Sequence, residues 1–320
     1  MLATNMANQV QTLEQMKTIN LDGLRERFRV PFALARHSSG RWGLIIVLLI
    51  CFVAIFADQL APFDPYNIEQ RFQRGLPPNA QNWLGTDGSG IDVLSALVQG
   101  TRISLIVGIA TALLISFTGA LAGVAAGYLG GWVDIVLMRT VDILMCIPSL
   151  PLMIVLAAYL GTQFWVIIFI FVILGWAGLA RLIRAQVLSV KSRPYVESAI
   201  VAGASTWRVM WRHILPAVSS LVIVNGVLMA SGMILAEAGL SFLGFGDPKA
   251  ISWGKMLSQA QSGSAILLGM WWWILPPGLA IVLTTLGFLL LGYALEEIMN
   301  PYLHKHHINM KAIRQKKSRR

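Results

Sequence analysis

Residues 143–180 read ILMCIPSLPLMIVLAAYLGTQFWVIIFIFVILGWAGLA, 38 residues without a charged side chain. A helix crosses the hydrocarbon of a bilayer with about 20 mostly apolar residues. The stretch is too long for one span, and Gly161-Thr-Gln163 offers a turn in its middle. It predicts two spans, Val141–Leu160 and Phe164–Ala180. Outward from this centre the pattern repeats. Residues 42–57 are charge-free and reach into Leu60 and Ala61; Ile103–Val133 is charge-free for 31 residues, with a glycine-rich exit at Gly127–Gly131. Ile214–Ala236 is another such run. Met256–Leu295 is a last one, which Pro276-Pro277 is expected to divide, leaving a final span at Leu275–Leu295. The expectation is an all-α polytopic membrane protein with six transmembrane helices.

Composition excludes the main alternatives. Hydrophobic residues make up 56% of the 320-residue chain and charged residues 12%, about half the charged share of a soluble domain. Mean hydropathy is +0.67. Cys51 and Cys146, the two cysteines, both lie in apolar stretches, so a disulfide framework is not expected. No short apolar core follows the start, so no cleavable signal peptide is expected. The net charge of +10 would suit nucleic acid, but its placement suits a membrane. With the N-terminus inside, 20 Lys and Arg fall in cytoplasmic segments and five (Arg71, Arg74, Arg102, Lys249, Lys255) outside. By the positive-inside rule both termini are cytoplasmic, and no nucleic-acid partner is expected.

The expected organisation is a basic N-terminal segment 1–41, a six-helix domain 42–302 and a basic tail 303–320. Within the domain lie an external segment 58–102, a cytoplasmic loop 181–213 and an external loop 237–270. In the first segment, Leu21, Leu24 and Phe28 at helical spacing with Arg25, Arg27 and Arg29 suit an interfacial helix. The tail suits a solvated end near anionic lipid.

Catalytic signatures are missing. There is no HExxH helix, no GxxxxGK[ST] phosphate loop and no glycine-flanked serine elbow. His304, His306 and His307 read as a polar tail, and no metal site is expected. Five of the six spans carry no ionisable group in their interiors. Asp134, Arg139 and Asp142 lie at the start of span three, where Arg139 and Asp142 read as an ion pair. A carrier driven by an ion gradient usually needs such groups at the midplane. Any pumping therefore draws its energy from another subunit.

Residues 181–216 form the one large inner loop. Pro194 opens a segment of helix formers through Ala202, Gly203 interrupts it, and Trp207-Arg208-Val-Met-Trp211-Arg212-His213-Ile-Leu215-Pro216 follows. Two short helices joined at a glycine make a knob, with Val196, Ile200 and Met210 expected on a sticky face beside Arg208 and Arg212. Pro216 is expected to open span five.

Here the chain resembles a known family. Glu197-Ser198-Ala199, three residues, Gly203, nine residues and His213-Ile-Leu215-Pro216 are similar to the cytoplasmic EAA loop of ABC importer permeases. Two further stretches resemble the "C"-type permease of the oligopeptide, dipeptide and nickel group. One is Leu84-Gly-Thr-Asp87 with Gly90, Asp92-Val-Leu-Ser95, Gly100 and Arg102-Ile-Ser-Leu105. The other is Leu240-Ser-Phe-Leu-Gly-Phe-Gly246 with Ser252-Trp253-Gly254 and Met256-Leu257. The resemblance covers Trp42 to Tyr302. Departures are Ser198 for the middle alanine, Ile91 and Ala96 where arginine is frequent, and Ala217 after Pro216 where asparagine is frequent.

The resemblance implies a type I ABC importer permease fold in a bacterial inner membrane. The implied partners are a homologous permease as heterodimer, two ATP-binding subunits and an external substrate-binding protein. No cofactor is expected in this chain; ATP and magnesium belong to partner subunits, and the chain is not expected to be an enzyme. Glu197 would hold the knob by hydrogen bonds or charge, and Gly203 would allow its turn. Arg208 and His213 would contact the ATPase or tie the knob to span five, or only stabilise the loop. The implied cargo is short peptides, with nickel or a metal chelate as the family alternative. An ion-coupled carrier and a non-transporting scaffold are alternatives of other classes.

On the external side Asp87, Asp92, Glu237, Phe242, Phe245 and Trp253 are the pathway candidates. Asp87 and Asp92 offer too few oxygen ligands for calcium. Ser89 with Asp92 reads as a helix start, with Ile91, Leu94 and Val98 on its apolar face. Glu237 could meet a substrate amine or hydrogen-bond the loop. For the three aromatics, anchoring in the membrane interface is favoured over facing a binding protein.

Overall fold

A backbone N–H or C=O in hydrocarbon has no water to bond, and a helix satisfies each one within its own segment. The computed structural model describes Leu34 and residues 37–299. Among these residues the regular structure is helical, and strand-like pairing is confined to one isolated bridge between Thr86 and Asp92. The interfacial segment at Leu21–Arg29 and the basic tail lie outside the described residues.

The main helices are α1 (Ser38–Ile55), α2 (Val93–Leu129), α3 (Gly131–Cys146), α4 (Ser149–Leu160), α5 (Phe164–Lys191), α6 (Pro194–Val201), α7 (Leu215–Leu240), α8 (Trp253–Ser262) and α9 (Trp271–Met299). Helical turns at Thr206–Val209 and Met210–Ile214 lead into α7, and Ser241–Phe245 continues it up to a kink at Gly244, whose φ is +92°, so that one apolar run covers Thr206–Phe245. Among the described residues five helices are long and apolar enough to cross a membrane, six if α3 and α4 count as one bent span.

The expected boundaries change in four places. Span three is not one rod, because α3 and α4 meet at 93°. Proline restricts the residue before it to extended backbone, and Ile147, before Pro148, sits at φ −92°, ψ 129°. Pro276 and Pro277 do not divide the last apolar run but lie inside α9. Their fixed φ is helical, and near the helix start they forfeit only the bonds to the Trp272 and Trp273 carbonyls. Residues 181–191, expected in the inner loop, complete α5. Pro216 does stand in the first turn of α7, as expected, but the turns after Gly203 run into that helix without a break, so the helical stretch begins earlier, at Thr206.

The spine of the bundle is α2 against α5. Gly119, Gly123 and Gly127 fall on one face of α2, and each lies where a Cβ would strike α5. At Gly123 a Cβ would sit 2.6 Å from the Ala180 oxygen and 2.7 Å from the Ile183 Cβ. Helices in lipid gain attraction from such close approach, since burial between them gains nothing over lipid tails. The reading of Gly127 as part of an exit turn is thereby corrected: it is a packing position, and α2 runs on to Leu129. On the other flank α1 packs on α9, and α7 bridges α2 and α9. The knob at 194–209 sits at one pole. The segments 56–92 and 241–270 cover the opposite pole, where Trp253, Met256, Ala260 and Trp273 share a core with Val93 and Ala96.

Candidate functional site

The knob begins where Pro194 forces Arg193 to extended backbone and opens α6. It turns at Gly203, whose φ is +83°. There the Gly203 N–H donates to the Ile200 carbonyl at 2.9 Å and the Ala204 N–H to the Ala199 carbonyl at 3.1 Å. This is a Schellman closure, which needs a left-handed residue at that place. Ser205 Oγ then accepts from the Arg208 N–H and caps the next turn.

Val196 fixes the knob to the bundle. It is 0% exposed and packs among Val187, Val190, Val209, Ile214 and Val218. The expectation that Val196 belongs to the sticky outer face is therefore corrected, and Met210 is half-buried too. The outer face is built instead from Ile200, Val201, Trp207 and Trp211, with Val201 88% exposed. The Trp207 and Trp211 rings meet edge to face at 5.2 Å, and Arg208 and Arg212 are exposed beside them. The two tryptophans, four apart on one helix face, are the part of this surface that motif reading left out; their spacing was the available signal.

Glu197 is exposed, and among the described residues its carboxylate has no hydrogen-bond or ion-pair partner. It does not hold the knob internally; apolar packing through Val196 does. Ser198 Oγ donates to the Tyr195 carbonyl at 3.1 Å, and Ala199 is half-buried. The His213 ring lies 6.4 Å from that of Tyr195, which places α7's leading turn against α6. Leu215 and Pro216 sit at the front of α7.

Behind the knob, charge pairs lock α5 in place. Arg184 pairs with Asp134, and Arg181 with Asp142, joining α5 to α3. Lys191 Nζ donates to the Tyr128 carbonyl at 2.8 Å at the end of α2. The expected Arg139–Asp142 pair is only a 4.0 Å contact of a largely exposed arginine. Asp142 takes its main partner from another helix, which no local spacing could reveal.

At the opposite pole the carboxylates serve the backbone. Asp92 caps α2: its Oδ2 accepts from the Ser95 N–H at 2.8 Å and Ser95 Oγ at 2.7 Å. Its Oδ1 accepts from buried Asn82 at 2.9 Å. The helix therefore starts one motif later than the Ser89–Asp92 reading. Asp87 Oδ1 accepts from the Ser89 and Ile91 amides at 2.7 and 2.8 Å. Burial pushes the Asp87 carboxyl up from its ordinary value, against the pull of those amides and of Arg71.

Glu237 is 3% exposed. Its Oε1 accepts from Ser241 Oγ at 2.7 Å, and its Oε2 lies 3.4 Å from Ser104 Oγ. Trp253 is 2% exposed; its indole N–H donates to the Leu97 carbonyl at 3.1 Å and its amide to Ser104 Oγ at 3.3 Å. An interface anchor would lie at the surface, so Trp253 is corrected to a core residue tying α8 to α2. Phe245 is half-buried in the cluster around Ile167 and Phe171, and Phe242 is exposed. Asp247, which the sequence did not single out, accepts from the Phe164 N–H at 2.9 Å and closes the first turn of α5. The two are 83 residues apart, and nothing local marks the pair.

The knob can present a carboxylate, two guanidinium groups and an apolar patch to another protein, and it sits on the helix pair that spans the molecule. Comparison with known proteins agrees with that reading. The profile of the N-terminal transmembrane domain of oligopeptide transport permease C matches residues 32–78. The dipeptide transport system permease protein DppC of Bacillus subtilis is 36% identical over 273 residues, covering 85% of this chain and 84% of that protein. The glutathione transport system permease protein GsiD of Pectobacterium atrosepticum is 37% identical over 271 residues, covering 84% and 89%. The oligopeptide transport system permease protein OppC of Bacillus subtilis is 36% identical over 264 residues, covering 82% and 85%. The profile of the binding-protein-dependent transport system inner membrane components matches residues 119–305, across the knob and the helices that carry it, and to that family of ABC importer permeases this chain belongs.

Proposed function

We propose that the chain forms half of the translocation pathway of an ATP-driven importer of short peptides and takes up the ATPase stroke through the knob at residues 194–209. The carrying observation is the knob's division of labour. One face is anchored by buried Val196, and the other offers Glu197, Arg208 and Arg212, unpartnered among the described residues, and exposed Val201 and Trp207. An exposed apolar patch rimmed by charge marks a protein-binding surface. A push on it passes into α7 through the helix that runs on from Thr206 as far as the kink at Gly244 and into α5 through the shared valine cluster.

In this reading ATP and magnesium are bound by two partner ATPase subunits. A homologous permease supplies the other half of the pathway, and an external binding protein delivers cargo to the pole opposite the knob. Both termini then face the cytoplasm of a bacterial cell. The peptide cargo is supported by the names of the relatives, which act on dipeptides, oligopeptides and glutathione.

The test is gentle detergent purification of the tagged chain from its native membrane, wild type beside Glu197→Arg, with mass spectrometry of what accompanies it. ATP-binding subunits and a second permease should accompany the wild type, and the ATPases should be lost from the variant. A chain that emerges alone or as a homodimer, unchanged by the substitution, overturns the reading in favour of an ion-coupled carrier.

A further inference from the structure

At the pole opposite the knob, two cavities meet at one residue. A polar cavity of about 590 Å³ is bounded by Asp58, Asp64, Tyr66, Gln70, Gln99 and Arg102. A groove of about 450 Å³, lined almost wholly by apolar atoms, leads away from Arg102 between Cys51 and Ile55 of α1 and Ile106, Ile109 and Leu113 of α2. At ~1.5 Å rise per residue, Arg102 to Leu113 covers about 16 Å. That is about half of a hydrocarbon layer ~30 Å thick, the depth of a single leaflet.

Arg102 stands at the junction with its donors nearly filled. It donates from Nη1 and Nη2 to the two Asp58 carboxylate oxygens, each at 3.1 Å. Nε donates to the Ala54 carbonyl at 3.2 Å and Nη2 to that of Ile55 at 3.4 Å, which caps the end of α1. Gln99 also donates to Asp58, at 2.9 Å. A guanidinium has five N–H donors, so one remains on Nη1. With Asp58 and Asp64 against one arginine, the polar cavity has a net negative charge. It suits a ligand that brings one phosphate oxygen to Arg102 and a cationic group to the carboxylates. It opposes a ligand of net negative charge.

We propose that the joined cavities hold one phospholipid of the phosphatidylethanolamine class. The acyl chain lies in the groove between α1 and α2, the phosphate beside Arg102, and the primary ammonium toward Asp58 and Asp64. The apolar arm selects a lipid over a free zwitterion such as a dipeptide, which has nothing to lay along a one-leaflet groove. The carboxylates select an ammonium, with three N–H donors, over a quaternary choline, which has none. Such a lipid would join the short helix Ala57–Leu60, the end of α1 and the start of α2 in one polar cluster.

The experiment uses the full chain with its associated subunits, moved into nanodiscs of equal phosphatidylethanolamine, phosphatidylcholine and phosphatidylglycerol. Retained lipid is identified by mass spectrometry after extraction. Wild type should retain phosphatidylethanolamine over the other two by about tenfold, the worth of one hydrogen bond to a charged group. Ile106→Trp, at an exposed position on the groove wall, should lose the retained lipid. Asp58→Asn with Asp64→Asn should keep a lipid but lose the preference. Equal retention of all three lipids by wild type overturns the proposal. So does retention unchanged in Ile106→Trp, or displacement of the lipid by a short peptide.

Discussion

Gly203 holds a left-handed backbone at φ +83°, and no atom lies within 4 Å of where a Cβ would stand. The demand is therefore on the backbone alone, and an ordinary L residue there costs roughly 1–2 kcal/mol. Gly203→Asp is expected to abolish uptake while the protein stays in the membrane at its normal level. Aspartate and asparagine both tolerate this region, so the loss is assigned to the charge that aspartate brings to the docking face, and Gly203→Asn, of the same shape and uncharged, should retain most uptake. Radiolabelled peptide uptake alongside membrane immunoblots checks both, and normal uptake by the aspartate variant would sink the docking reading. Asp87 makes a different demand. Its folded-state carboxyl is raised, chiefly by burial, so the folded form holds its proton to higher pH than the unfolded chain, whose aspartates titrate at about 3.9. Its contribution is fully present below that value and is lost as pH rises through the folded value. Asp87→Asn keeps an acceptor for the Ser89 and Ile91 amides and should flatten this part of the pH dependence. Thermal melting of the purified protein across acidic pH measures it; identical pH profiles for the two proteins would refute the assignment.

At the scale of elements, the molecule depends on where helices touch closely. At Gly123 even a methyl group would meet the Ala180 carbonyl at 2.6 Å. Gly123→Ala should cost about 1–3 kcal/mol through forced separation of α2 and α5. Gly178, on the same α5 helix, has open space around its Cβ position, and Gly178→Ala should stabilise by about 0.4–1 kcal/mol by restricting the unfolded chain. Melting temperatures in one detergent compare them, and a shift of the same sign in both variants would contradict the packing account. The glycines were visible in the sequence, but whether each makes a turn or a contact was not. Gly127 looked like an exit turn and is a contact, because the residue it faces, Val187, belongs to a different helix. The break between α3 and α4 was legible in principle at Pro148. The apolar run around it concealed the break, since hydropathy registers solvent preference and not backbone direction.

At the scale of the whole molecule, the knob and the 56–92 segment lie at opposite poles of helices that cross the membrane, so they must face opposite sides. In a background with Cys51→Ala and Cys146→Ser, a cysteine placed at Val201 should react with a membrane-impermeant maleimide only in inverted vesicles or permeabilised cells. One placed at Ile68, 75% exposed, should react in intact spheroplasts. The reverse pattern would invert the topology inferred from the Lys and Arg distribution. Protection of Val201 by the ATP-binding subunits in the assembled complex would mark the docking face directly.

Composition and hydropathy were enough to determine an all-α membrane protein with its apolar runs in place, because hydrocarbon admits few backbone solutions and each apolar run must meet that constraint alone. The Glu197–Gly203–Pro216 spacing was enough to locate the knob, because its turn is a local structure closed by bonds between near neighbours. Only the tertiary structure decided which face of the knob is anchor and which is surface, and that Val196 and not Glu197 holds it. It likewise decided that Asp142 answers to Arg181, that Asp247 closes α5, and that Trp253 is core. The Asp142, Asp247 and Trp253 contacts each depend on a partner tens of residues away, and Val196 on side chains of neighbouring helices; all are brought near by helix packing, and local spacing does not encode which face of another helix a side chain will meet.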